Sequence, residues 1–117
     1  MDTRKKALFA FRGDPLCFIH VLLNGLDLHE RGLGGDIVVE GDAVTLIPEM
    51  AVSGHFLHSA YIRAREAKII HGACRACSNK LGVAAEIERE GIPLVGDMAN
   101  HPSMGGFIEK GYDIITF

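Results

Sequence analysis

The sequence predicts an α/β fold, a three-layer α/β/α sandwich with a mainly parallel sheet of about five strands, in one domain spanning residues 1–117. Two features predict it. Short apolar runs alternate with helix-period segments along the whole chain, and each run is nearly continuous in apolar residues. Strands of that kind are buried on both faces, which calls for helices on either side of the sheet and right-handed crossovers between parallel neighbours. At 117 residues the chain is long enough to bury such a core without disulfides or metals.

The first strand is read at residues 6–11 and closed by Arg12-Gly13-Asp14-Pro15. Asp14 followed by Pro15 marks a helix start. The carboxylate caps free amides, and proline at the first helical position gives up no hydrogen bond. Leu16, Ile19, Leu22, Leu23 and Leu26 then recur at helical spacing towards Gly32, with Cys17 beside them as a packing residue. Residues 36–40 form the second strand, rich in β-branched side chains, and Gly41-Asp42 turns it into a short helix that Pro48 ends. Ser53 is placed to cap a helix carrying Phe56, Leu57, Ala60, Tyr61 and Ala64. The third strand is read at 68–71, a crossing loop at 73–78 and a helix at 79–90, stopped by Gly91. A fourth strand at 92–95, a helix at 102–110 and a last strand at 112–117 complete the series.

Composition removes several classes of function. The net charge is −3, and the basic residues at Arg4, Lys5, Lys6, Arg63 and Arg65 have acidic neighbours, so no nucleic acid or anionic membrane is expected as a partner. No apolar run approaches the ~20 residues that span a bilayer. The run from Ala7 to Phe11 is too short for a signal-peptide core and reads as a buried strand. Three cysteines, an odd count, do not suit a secreted disulfide framework, so a reducing cytoplasm is expected.

In an open parallel sheet, ligands bind beyond the carboxyl ends of the strands. The polar turns at 12–14, 40–42, 72–78 and 96–101 are therefore expected on one rim, where Cys74, Cys77, Asp14, Asp42, Asn100 and His101 can share a cleft. Cys74 and Cys77 form a Cys-x-x-Cys pair at a helix start. Unpaired amides there stabilise a thiolate and can bring a thiol well below its usual ~8.5. Arg75 and Lys80 lie near enough in sequence to favour the anion, and Gly72 and Ala73 leave the approach open. Cys77, about one turn on, can act as a resolving thiol.

Thioredoxin-like dithiol exchange is a rival, although no matching cis-proline loop is evident. Zinc held by His71, Cys74, Cys77 and His101 is another, although a single Cys-x-x-Cys is weak support for a closed site. His101 can donate a proton, contact a substrate or cap a helix, and Asp14 and Asp42 most simply cap helices. With no phosphate-binding motif in the chain, no cofactor and no metal are expected.

Residues 37–44, Ile-Val-Val-Glu-Gly-Asp-Ala-Val, and residues 74–83, Cys-Arg-Ala-Cys-Ser-Asn-Lys-Leu-Gly-Val, carry a family resemblance. On these segments the chain resembles the DsrE/DsrF-like family, small α/β proteins that include the TusD-type sulfur-relay subunits. The resemblance spans most of the chain. It implies that Cys74 accepts persulfide sulfur, that the chain assembles as an oligomer, most simply with its own copies, and that its partners are a sulfur donor or sulfur acceptor protein. Cys77 departs from the relay pattern and leaves room for a persulfide that resolves to a disulfide. The expectation is thus a cytoplasmic sulfur carrier using Cys74 and Cys77, supported by Arg75, Lys80, Asn100, His101 and Asp42. The other reading is a noncatalytic module whose rim binds a small ligand or serves assembly.

Overall fold

The computed structural model describes residues 2–117. Five strands, β1 (Lys6–Ala10), β2 (Gly34–Val39), β3 (Ile70–Cys74), β4 (Leu94–Val95) and β5 (Asp113–Thr116), form one sheet in the order β4-β3-β2-β1-β5. Every pairing is parallel. The connections contain α1 (Pro15–Glu30), α2 (Leu46–Met50), α3 (His58–Glu66), α4 (Arg75–Lys80), α5 (Ala84–Arg89) and α6 (Met104–Glu109), with a 3₁₀ turn at Gly41–Thr45 leading into α2. The α/β sandwich expected from the alternating pattern is the one observed.

Its two sides are filled unequally. Leu8 and Ala10 of β1, Ile37 and Val39 of β2 and Ala73 of β3 meet Phe18, Leu22, Ile47, Leu57, Tyr61 and Ile87 in one large buried cluster under α1, α2, α3 and α5. Alternate strand residues point the other way. There Ala7, Phe9 and Val38 meet half-buried Met104, Phe107, Tyr112 and Ile114, with α6 as the covering helix. The packed side is also cross-linked: the Tyr61 hydroxyl donates to Glu90 at 2.7 Å, and Arg65 reaches the same carboxylate oxygen at 3.0 Å.

Asp14 caps α1 as the sequence suggests, its carboxylate accepting the Leu16 amide at 2.8 Å. The stripe on that helix is displaced by one position. Phe18, Val21, Leu22, Gly25 and Leu26 face the core, while Leu16 is 70% exposed and Leu23 also faces solvent. Gly25 sits where α1 crosses the start of β2. A Cβ on Gly35, at φ +84°, would collide with the Gly25 carbonyl, so this pair of glycines sets how closely helix and sheet approach.

Pro48 does not end a helix. It lies in the first turn of α2, where a missing N–H leaves no bond unmade. Ser53 caps nothing: 51–57 is a run of turns, α3 begins at His58, and Phe56 is exposed. Asp42 lies inside the 3₁₀ turn without a cap bond, and it is its backbone carbonyl that accepts the Thr45 hydroxyl.

The third strand is displaced furthest from its expected position, to Ile70–Cys74. The reason is the end of α3. Lys68 takes the left-handed conformation (φ 59°), with its amide on Arg65 and the Ile69 amide on Ala64. That is a Schellman cap built with lysine instead of glycine. It consumes the residues expected to open the strand. The same motif with Gly82 ends α4 after six residues, through Gly82 to Asn79 and Val83 to Ser78. The crossing loop read at 73–78 is therefore absent, since β3 passes directly into α4. The single helix read at 79–90 is in fact the end of α4, a glycine stop and α5.

Candidate functional site

Cys74 is both the last residue of β3 and the N-cap of α4. Its φ and ψ of −57° and 122° leave it extended, so its side chain turns back over the first helical turn and Sγ accepts the Cys77 amide at 3.4 Å. Sγ also lies 3.2 Å from Nδ1 of His101 and donates towards the Asn100 carbonyl at 3.8 Å. That carbonyl accepts the Ala76 amide at 2.9 Å as well, which ties the His101 segment onto the start of α4.

A tight turn delivers His101. Met98 and His101 exchange both backbone hydrogen bonds at 2.9 Å, and the two central residues, Ala99 (φ 49°) and Asn100 (φ 69°), are left-handed. Two positive φ values define a type I′ geometry, which suits asparagine and strains alanine. This turn covers the Cys74 thiol.

Cys74 is consequently 0% exposed, which corrects the expectation of an accessible, anionic sulfur. Burial pushes its thiol up to about 11; the Cys77 amide opposes this, whereas the Cys77 thiol and the Glu40 carboxylate reinforce it. Among the described residues no cation balances the shift. Arg75 is turned away to donate to the Leu94 carbonyl at 3.1 Å, and Lys80 is exposed at the far end of α4. A short helix start with one amide on the sulfur does not outweigh loss of water.

Glu40, one residue beyond β2, is the functional candidate that sequence reading passed over in favour of Asp42. It is 7% exposed, and burial raises its carboxyl above the usual range, partly offset by the His101 imidazole. Glu40 and His101 line a cavity of about 310 Å³ with Phe11, Met98, Pro102, Met104 and Gly105. Strand alternation was the available signal: Val38 faces the thin side of the sheet, so Glu40 must too. Asp42 is exposed and absent from that lining. Asp14, which caps α1, is not among its residues either.

The structure thus brings Cys74, Cys77, Asn100 and His101 together and leaves Arg75, Lys80, Asp42 and Asp14 outside. His71 is also outside, its ring packed on Phe107 at 4.9 Å between centroids, so the four-residue zinc set does not assemble. Among the described residues, Cys74, Cys77 and His101 are the group able to hold a metal ion, with donor atoms all within 4.8 Å of one another. All three cysteines are free thiols. Cys17 is half-buried and does not join the core: it lines a separate cavity of about 590 Å³ with Arg12, His20, Asn24, Thr116 and Phe117.

No family model matches the chain. The uncharacterised protein MJ0733 of Methanocaldococcus jannaschii is 29% identical over 97 residues, 83% of this chain and 77% of that one. An uncharacterised protein of Archaeoglobus fulgidus is 34% identical over 61 residues, 52% of this chain and 98% of that one. A solved structure, that of the conserved Bacteroides thetaiotaomicron protein of unknown function BT1422, aligns with a TM-score of 0.71 at 19% identity, covering 97% of this chain and 95% of the other. It shares the fold.

Proposed function

We propose that this chain, which belongs to the same family as the Archaeoglobus protein, carries sulfur as a persulfide on Cys74, with Cys77 as the resolving thiol and His101 handling the proton. One observation carries the reading: Sγ of Cys74 lies 3.2 Å from His101 Nδ1. A neutral buried thiol is a poor nucleophile, and an imidazole in contact with it supplies the base that the amide environment does not.

The chemistry balances as follows. His101 takes the Cys74 proton, and Sγ attacks the outer sulfur of a persulfide donor. The donor S–S bond breaks, a new one forms on Sγ, and the leaving thiolate receives the proton. An acceptor thiol can then attack the outer sulfur and carry it away. Alternatively, the Cys77 thiolate attacks Sγ, hydrosulfide leaves, and a Cys74–Cys77 disulfide remains for an external thiol to reduce.

The DsrE/DsrF-like resemblance over 37–44 and 74–83 supports this reading. With it come a cytoplasmic location, a homo-oligomer, and a sulfur donor or acceptor protein as partner. No helix among the described residues is long and apolar enough to cross a membrane.

The test is intact-protein mass spectrometry after exposure to a small persulfide donor at neutral pH. The parent chain should gain about 32 Da, mapped to the Cys74 peptide, and Cys74→Ser should gain nothing there. Loading of Cys74→Ser at the parent rate would remove Cys74 as the acceptor.

A further inference from the structure

We propose that Cys74, Cys77 and His101 form a binding site for a thiophilic monovalent cation, copper(I), at the carboxyl edge of the sheet. Two thiol sulfurs and an imidazole nitrogen within 4.8 Å of one another are already nearly the set that such an ion draws together. Bonds of about 2.0–2.3 Å place three donors about 3.5–4 Å apart around a central ion, so a small contraction completes the site. Cys74 is fixed by its bonds at the start of α4, and Cys77 is half-buried one turn on, on an element short enough to adjust.

The donor set narrows the ion. Sulfur-rich sites favour Cu(I), zinc or iron–sulfur clusters, and zinc completes its four-coordination with a fourth side chain or with a water in an open position. Among the described residues no fourth Cys, His, Asp or Glu joins the group, and His71, the fourth that spacing offered, packs on Phe107 instead. Three soft donors suffice for a monovalent d¹⁰ ion. Met98 and Met104 line the cavity that His101 opens onto, and Met98 is 52% exposed. Binding breaks two S–H bonds and forms two Cu–S bonds. Two protons pass to solvent, the imidazole contributes a lone pair, and copper keeps its oxidation state.

The site shares Cys74 with the sulfur carrier but does not rest on that reading. The reduced 117-residue chain is titrated without oxygen against Cu(I) held by a chromogenic chelator, and separately with Zn(II) against a zinc indicator. One Cu(I) per chain should be withdrawn, with new near-ultraviolet thiolate-to-copper absorption. Cys77→Ser and His101→Gln should each weaken uptake by at least about tenfold. Absence of uptake, unchanged uptake by Cys77→Ser, or tighter binding of Zn(II) than Cu(I) overturns the site. Should Cys77→Ser not fold, alkylation of the parent chain decides the matter. One equivalent of Cu(I) should protect Cys74 and Cys77, and labelling at the unprotected rate counts against it. A chain that loads sulfur but takes no copper removes this site alone, and one that takes copper but loads no sulfur removes the carrier alone.

Discussion

On one side of the sheet, four helices press twenty buried residues into a continuous core; on the other, Ala7, Phe9 and Val38 are covered by one six-residue helix whose inward side chains, Met104 and Phe107, are only half-buried. The thiol site sits on the rim of the thin side. Cys74 ends β3, Glu40 and Phe11 lie just beyond β2 and β1, and their neighbours Met98, His101 and Met104 come from the segment leading into α6 and its first residue. Stability and chemistry are thereby separated. Side chains on the packed side cannot move without opening cavities, whereas the turn at 98–101 is exposed and is tied to the start of α4 through the Asn100 carbonyl. The Cys74 sulfur is buried beneath that exposed turn.

The comparison is broken most severely at Gly35. Replacing it with alanine puts a Cβ against the Gly25 carbonyl at a left-handed φ, which should cost about 3 kcal/mol in urea unfolding by overpacking and strain together. A near-neutral result would mean that α1 does not clamp β2 there. Phe107→Ala tests the thin side. Its ring meets Phe9, His71 and Tyr112 edge-on at 5.6, 4.9 and 5.2 Å, yet it is only half-buried. The expected loss is about 2 kcal/mol, below that of a fully buried aromatic. A loss as large as that for Gly35→Ala would erase the distinction between the two sides.

A third effect is a pH dependence. Folding raises the Cys74 thiol from 9.0 to about 11, so the folded chain holds that proton more tightly than the unfolded one. The associated stability is complete below about pH 9 and lost as pH rises towards about 11. Unfolding of metal-free, reduced protein should show this fall, and Cys74→Ala should show less of it. Identical slopes in the two proteins would place the thiol in a wetter environment than the one described.

Much of this was legible in the residues. Apolar runs and glycine stops give the parallel α/β fold, and Asp14-Pro15 gives the start of α1. The rim position of residues 74–77 and 100–101 follows from strand order alone. What could not be read was local and three-dimensional. Lys68 occupies a left-handed position that usually signals itself with glycine, so β3 was placed too early. Leu16 and Leu23 share helical spacing with the true stripe and differ from it by a rotation that only packing decides. The burial of Cys74 depends on a type I′ turn containing Ala99, a residue that gives no hint of such a turn. A motif at a helix start therefore announced where the thiol lies but not whether water reaches it. The role open to Glu40 is visible only once its face of the sheet is known.

The most direct measurement is the rate at which Cys74 gains persulfide sulfur at neutral pH in the parent chain and in His101→Gln. His101 is exposed, so the substitution leaves the core untouched. If the imidazole is the base for a buried thiol, loading should slow by about 10²-fold or more while the sulfur still maps to Cys74. Equal rates in the two proteins would contradict the pairing of Cys74 with His101 on which the carrier reading stands.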